Sequence, residues 1–537
     1  MLSDNLHRGE PQPATSSSRL GPTRRSSSGI PAIATVTHLG LRLLFLSVVL
    51  LSSVGACEMK GHGGQGPAPA LPEFSPREPN DEYYQAEQWN MQLIEMPDAW
   101  GVLTSSEVSR RTHVVYVAVL DTAIDMTHPD LKANLVEGWD FVENRPIAPG
   151  SNASGTGTTH GTHVAGIIAA TTNNETGVTG IGWNRIRVIP VRVLDNNDKG
   201  SGLDLANGIL YAAGLANSSG NTPARRADVI NMSLGREDGQ PLGSAVDETL
   251  TRAADRGITL VASSGNNGSD PNGVIYPAAY PNVIAVGSVN PPESEEGEPT
   301  RSAYSDYGMG LEFVAPGGRG LGTDRYAGVY STVENGGYGN EAGTSMAAPH
   351  VSGLAALLYS VADSMTQNGV RSILRQTATA IAVDETYPHP EFGYGLVHAG
   401  RAIRRALMQP YGPYRRDDEI TLQSAPSKTE STYATKQHHT LTAAVEEHSH
   451  PKPGTYRPDR LIVSFDEEWL NSAPPQERQA RLEAIAAAHR LVSISGGYQR
   501  YGVADLSPDQ DATELRAVLL TEPEIAAVGY DFYVFAQ

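Results

Sequence analysis

Four polar residues in this sequence stand where apolar segments begin or end, and their types could support nucleophilic acyl transfer. Ser345 lies in GTSMAAPH, where a glycine–threonine turn opens the apolar run VSGLAALL. The run reads as a buried helix, in which Pro349 is tolerated only near the first turn, where a missing N–H has no intrahelical partner. Ser345 is therefore expected at a helix N-terminus, beside unpaired N–H groups and the positive end of the helix dipole. That setting suits a nucleophile whose attack creates an oxyanion, and it equally suits a plain cap. Asp121 closes VVYVAVLD, a strand-like run whose terminal carboxylate must be paired or hydrogen-bonded. His160 opens the helix-like HGTHVAGIIAA, and Asn266 follows LVASSG. Together the four supply an orienting acid, a base, a nucleophile and an amide donor. Each alone is also an ordinary turn or helix-start residue.

The elements that must position them read clearly. From about Asp81 to Met408, nearly continuous apolar runs (VVYVAVLD, RVIPVRVLD, DVINMSLG, ITLVASSG, NVIAVGSV) alternate with helical patterns. Such alternation predicts an α/β fold with a mainly parallel sheet covered on both faces, with functional groups at strand C-terminal ends. The tract 409–458 is polar and aperiodic and reads as a disordered linker; its His438, His439, His448 and His450 carry no metal assignment. From Asp459 to Gln537 a pattern of strand, helix, strand, strand, helix, strand predicts a small α+β domain of the βαββαβ, ferredoxin-like type.

At 537 residues the chain is long enough for two or more domains. A formal net charge of -20 argues against nucleic acid or an anionic membrane surface as partner. Its one cysteine, Cys57, excludes an internal disulfide framework. A basic, serine-rich start leads into LGLRLLFLSVVLLSSVGAC, which reads as a signal peptide. Val54–Cys57 resembles a bacterial lipobox, so Cys57 is a candidate for lipidation and membrane anchoring. A plain cleaved signal with a spare cysteine, or a different start codon, remains the alternative. Residues 58–80 read as a Gly/Pro linker.

Asp, His and Ser in that chain order match one of the convergent triad orders. VAVLDTAIDMTHPDL, HGTHVAGIIAATTNNETGVTGIG, DVINMSLG, VASSGNNG, YPAAYPNVIAVGSV and GTSMAAPHVSGLAALL resemble, in order, the signature blocks of the subtilisin-like serine proteases, nearest the thermitase-like branch. The resemblance covers residues 81–408 and implies a subtilisin-like three-layer fold and peptide-bond hydrolysis through an acyl-enzyme. It implies Ser345 as nucleophile, His160 as base, Asp121 as the residue orienting His160, and Asn266 with the Ser345 N–H as oxyanion ligands. A catalytically silent subtilase fold used for surface binding is the rival reading, against which stands the retention of all four residues.

The same resemblance implies that an extended polypeptide substrate adds a strand along Ser233, Leu234 and Gly235. It places Ser263, Ser264 and Gly265 on the wall of the pocket for the residue before the scissile bond, with Ile275 at the base. Ile275 stands where subtilisin has glycine and Asn267 where an acidic residue is usual, which implies a short, uncharged pocket favouring small or medium apolar residues. A structural Ca2+ is implied at TTNNETGV, with ligands from Asp81, Asp130, Thr171, Asn174, Thr176 and Val178. Ala123, in place of a usual glycine, is expected to strain its turn. A monomer is expected.

Family members resembling this chain carry an N-terminal inhibitory propeptide, for which residues 58–80 leave no room. The C-terminal domain resembles that propeptide, and its ending YDFYVFAQ suits an edge-strand cleft. The domain is therefore expected to act as an intramolecular inhibitor or chaperone, with Val534–Gln537 in the subsites upstream of the scissile bond.

Overall fold

The computed structural model describes residues 73–150, 159–268, 273–294, 297–320, 324–381, 388–408, 456–495, 501–508, 510–522 and 525–537. The signal segment, Cys57, most of the Gly/Pro linker and the polar tract 409–455 with its histidines lie outside the described residues.

Three short helices, α1 (Tyr84–Glu87), α2 (Trp89–Leu93) and α3 (Met96–Thr104), precede the main sheet. Its strands are β1 (Val115–Asp121), β2 (Gly138–Asp140), β3 (Arg145–Ile147), β4 (Ile186–Arg192), β6 (Val229–Met232), β8 (Thr259–Ser263), β9 (Val283–Asn290), β10 (Thr300–Arg301) and β11 (Phe313–Pro316). Two further short strands, β5 (Lys199–Ser201) and β7 (Leu234–Gly235), lie outside that sheet. Among the described residues the order is β10-β9-β8-β6-β1-β4-β2-β3, with β11 beside β9. The β1–β4, β1–β6, β6–β8 and β8–β9 pairs are parallel, and only the edge pairs β2–β3 and β9–β10 run antiparallel. The expected apolar runs are these strands, and burial on both faces explains why they do not alternate.

Helices α4 (Thr159–Ala169) and α7 (Thr344–Val361) pack together on the sheet, as do α5 (Gly202–Ala212) and α6 (Ser244–Asp255). A hairpin of β12 (Val329–Val333) and β13 (Gly337–Glu341) lies against α4. Helices α8 (Gln367–Thr377) and α9 (Ala399–Leu407) follow α7. Every residue of α7 is buried, so its all-round apolarity is that of a central helix. Because β1 has β4 on one side and β6 on the other, the strand order reverses at β1, and a crevice opens at the strand C-terminal ends.

The C-terminal region is an antiparallel sheet of β14 (Tyr456–Phe465), β15 (Ser493–Ser495), β16 (Tyr501–Asp505) and β17 (Ile525–Ala536), in the order β15-β16-β14-β17. Helices Pro475–Ala488 and Ala512–Leu519 make the two crossovers. Leu461, Val463, Phe465, Leu482, Ile485 and Leu519 form part of its own core. The first strand begins at Tyr456, ahead of the expected boundary at Asp459. A short helix at Glu467–Ser472, capped by the Asp466 carboxylate on the Trp469 N–H at 2.8 Å, went unanticipated.

This small sheet does not end at its own edge. The far end of β17 runs antiparallel to β5, pairing Tyr533 with Ser201, Val534 with Gly200 and Phe535 with Lys199. It also pairs with β7 through Phe535–Gly235 and Ala536–Leu234. Val534 is fully buried and belongs to the core of the main body. The tail thus becomes the middle strand of a three-stranded ribbon at the mouth of the crevice.

Candidate active site

Asp121 ends β1 with its side chain fully buried, and its Oδ1 lies 2.7 Å from His160 Nδ1. The same oxygen accepts the Thr122 N–H at 2.7 Å. His160 reaches it because α4 starts close against the end of β1. The Gly161 N–H donates to Thr122 Oγ1 at 2.9 Å, and a Cβ on Gly161 would stand 2.8 Å from the Thr122 carbonyl. Burial disfavours the imidazolium, but the charge and hydrogen bond of Asp121, with Glu341 and Asp198 adding, push His160 up to about 9. Its Nε2 is buried and has no hydrogen-bond partner. Ala123 is not among the left-handed residues, so its turn carries no positive-φ strain.

Ser345 is the second residue of α7, at the N-terminal end as its surroundings imply. Pro349 lies deeper than expected, inside the helix. Its missing N–H frees the Ser345 carbonyl, which accepts instead from Ser233 Oγ at 2.8 Å. The helix therefore tolerates this proline beyond its first turn by recruiting a hydroxyl from the segment between β6 and β7. Ser345 Oγ donates to the Ser233 carbonyl at 3.1 Å and accepts the Gln537 N–H at 3.0 Å.

At the first turn of α7 a backbone donor meets the end of the tail. The Ser345 N–H donates to the Gln537 carbonyl oxygen at 3.0 Å. Asn266 Oδ1 is held by the Thr344 N–H and hydroxyl, both at 3.0 Å, which fixes the amide with its Nδ2 turned the other way. A Cβ on Gly343 would stand 3.0 Å from the Gln537 oxygen and 3.2 Å from Asn266 Nδ2. A side chain there would press on both. The tail is held further by the Gln537 N–H on the Ser233 carbonyl at 3.3 Å and the Ala536 N–H on the Asp198 carbonyl at 3.0 Å.

The residues proposed for the pocket are brought together. Ser263 and Ser264 are fully buried at the end of β8, Leu234 pairs with Ala536, and the Ile275 N–H donates to the Ser264 carbonyl at 2.9 Å. The Ile275 side chain fills the space between Gly235 and Gly265, where a Cβ on either glycine would meet it. The tail brings the backbone of Gln537, a medium-sized polar residue, to the Ser345 N–H. Sequence reasoning passed over Lys199, Arg236 and Thr344, whose spatial neighbours are distant in the chain.

The candidate cation loop holds two buried carboxylates. Asp81 Oδ2 accepts the Asn173 N–H at 2.7 Å, while its Oδ1 is buried with no partner. Asp130 accepts from Asn174 Nδ2 at 2.8 Å and from the Val178 N–H at 3.0 Å. Burial, with the charge of Asp81 adding, raises Asp130 to about 6, and burial also raises Asp81. Thr171 Oγ1 is a second buried atom with no partner, and Thr176 donates its N–H to Asn174 Oδ1 at 3.0 Å. Among the described residues no group of three or more His, Cys, Asp or Glu side chains is placed to hold a metal ion by itself. Two uncompensated carboxylates beside unpartnered hydroxyl oxygen nevertheless fit a hard cation whose remaining ligands are carbonyls. His128, His163 and His350 are buried and bonded to backbone groups: the Gly337, Val329 and Met346 carbonyls.

A sequence profile described as the Subtilase family matches residues 112–395, a span that contains Asp121, His160, Asn266 and Ser345. Thermitase of Thermoactinomyces vulgaris is 36% identical over 327 residues, which are 61% of this chain and 99% of thermitase. A thermophilic serine proteinase of Bacillus sp. (strain AK1) is 38% identical over 325 residues, 60% of this chain and 69% of that protein. A solved structure of a protease from Pseudoalteromonas arctica matches with a TM-score of 0.51 and 32% identity, covering 61% of this chain and 99% of that one.

Proposed function

The chain belongs to the subtilase family and is a serine endopeptidase, and from that premise we propose how its residues share the work and what restrains it. His160 Nε2 takes the Ser345 Oγ proton as the oxygen attacks a peptide carbonyl, then returns it to the leaving amine. Asp121 fixes the imidazole tautomer and stabilises the imidazolium. The Ser345 N–H and Asn266 Nδ2 receive the oxyanion. The observation that carries this reading is the Gln537 carbonyl oxygen, which accepts the Ser345 N–H at 3.0 Å. To reach His160 Nε2, Ser345 Oγ must leave the Ser233 carbonyl and the Gln537 N–H to which it is bonded.

The C-terminal domain is the restraint. Val534–Gln537 follow the path of a substrate's non-primed half between β5 and β7, and the domain behind them keeps them there at high effective concentration. Ca2+, held by Asp81, Asp130, Thr171, Asn174, Thr176 and Val178, would neutralise the paired carboxylates and tie the N-terminal arm to the loop after α4. The apolar segment ending at Cys57 supports export, with lipid attachment at that cysteine. Hydrolysis of denatured casein by the chain freed of its tail through Val534→Asp, with and without Ser345→Ala, tests the assignment of the nucleophile. Undiminished hydrolysis by Ser345→Ala would overturn it.

A further inference from the structure

The tail brings three aromatic side chains onto two cations of the main body. Lys199 Nζ stands 3.2 Å from the centroid of the Tyr533 ring and 5.7 Å from that of Phe535. Arg236 Cζ stands 3.5 Å from the centroid of Phe532. The register explains the grouping. Residues alternate across a strand, so Tyr533 and Phe535 share the face opposite Val534, which is buried in the core. Lys199 lies on β5 directly across from Phe535, and its stem lets the ammonium lie over both rings of that face.

Arg236 directly follows β7 and is only 4% exposed. Its guanidinium is pinned by Asp238 and by the Pro241 carbonyl at 2.6 Å, so it offers a fixed planar face. A cation placed over an aromatic face within about 6 Å is attracted by the ring quadrupole. Alanine or a carboxylate in the same place offers no such surface.

We propose that Lys199 and Arg236 are specificity-determining residues that select substrates with aromatic side chains at the third, fifth and sixth positions before the scissile bond. This rests on the reading that the tail occupies the path of substrate, with Gln537 in the first position. Phe535, Tyr533 and Phe532 are then the third, fifth and sixth residues. Aromatic-rich extended segments are the substrate class, and the aromatic ending of the chain imitates it.

The test uses the full chain carrying Val534→Asp, which sets a charge where the tail enters the core and so unseats it. Ala536→Pro, which removes the N–H bound by Asp198, is a second tail-releasing variant at a less buried position. Internally quenched peptides carry Phe-Tyr-Val-Phe-Ala-Gln before the scissile bond, or the same sequence with alanine at its three aromatic positions. The freed chain should prefer the aromatic peptide in kcat/KM by roughly five- to tenfold for each cation engaged. Lys199→Met should remove the preference at the third and fifth positions, Lys199→Arg should keep it, and Arg236→Met should remove it at the sixth. A preference within twofold in the freed chain, or one indifferent to Lys199→Met and Arg236→Met, would overturn the proposal. Failure of the tail reading looks different: wild type and tail variants would then cleave the alanine peptide equally fast, and selectivity would be scored on wild type itself.

Discussion

At Asn266, both hydrogen bonds to Oδ1 come from Thr344, so the amide is oriented before any substrate arrives. Preorganised donors of this kind act mainly on the charge that develops in the transition state, and loss of one costs about 2.7–4 kcal/mol. Asn266→Ala should therefore lower kcat by roughly 10²–10³ with KM nearly unchanged. Steady-state kinetics on a tail-released chain would show it, and an unimpaired kcat would remove Asn266 from the oxyanion site. Gly161 acts one step back. Its lack of a Cβ lets α4 close on the Thr122 carbonyl, and that approach sets His160 against Asp121.

Among the elements, the loop after α4 makes the sharpest demand on stability. It packs Asp81 from the N-terminal arm and Asp130 from the segment after β1 into one buried place, and among the described residues no lysine or arginine pairs with either. A ligand present at a hundredfold its Kd contributes about 2.7 kcal/mol. Chelation should thus lower the thermal midpoint of the Ser345→Ala chain, which cannot digest itself, by about 5 °C or more. An unchanged midpoint would mean that the loop holds itself without metal.

The same scale shows what the sequence makes legible. Strands β1, β4, β6, β8 and β9 stand out because burial on both faces leaves unbroken apolar runs, and the ends of β1 and β8 mark Asp121 and Asn266. The depth of Pro349 in α7 could not be read, because its tolerance depends on a Ser233 hydroxyl far away in the chain. The parts played by Lys199 and Arg236 were equally hidden, since each is defined by a ring on β17 and by the register that brings it there.

At the scale of the whole molecule, docking of the C-terminal domain buries a pair of carboxyl groups. Asp531 on β17 accepts the Leu203 N–H at 3.2 Å through Oδ1, and its Oδ2 is buried with no partner. Burial, with the charge of Asp204 adding, pushes Asp531 up to about 7, although the Leu203 N–H, Arg460 and Arg457 oppose it. Burial likewise pushes Asp204 on α5 up to about 6, with the Ser201 hydrogen bond, Arg460 and Arg457 opposing and Asp140 adding. A free aspartate has a pKa of about 3.9, so these groups take up protons on docking. Docking is then strongest below the free value and weakens as pH rises through the docked values. Between pH 5 and pH 8, inhibition by the tail should weaken by roughly tenfold or more relative to an Asp531→Asn chain measured at each pH. Parallel pH profiles for the two chains would exclude the carboxyl pair as the cause.

The central claim is that Ser345 is an activated nucleophile in a cleft filled by the chain's own tail. Its most direct test is the rate of fluorophosphonate labelling of the full chain, of Val534→Asp and of Ser345→Ala. The expected result is slow labelling of the wild type, much faster labelling of Val534→Asp and none of Ser345→Ala. Labelling of Ser345→Ala would contradict the nucleophile, and equal rates for wild type and Val534→Asp would contradict the tail.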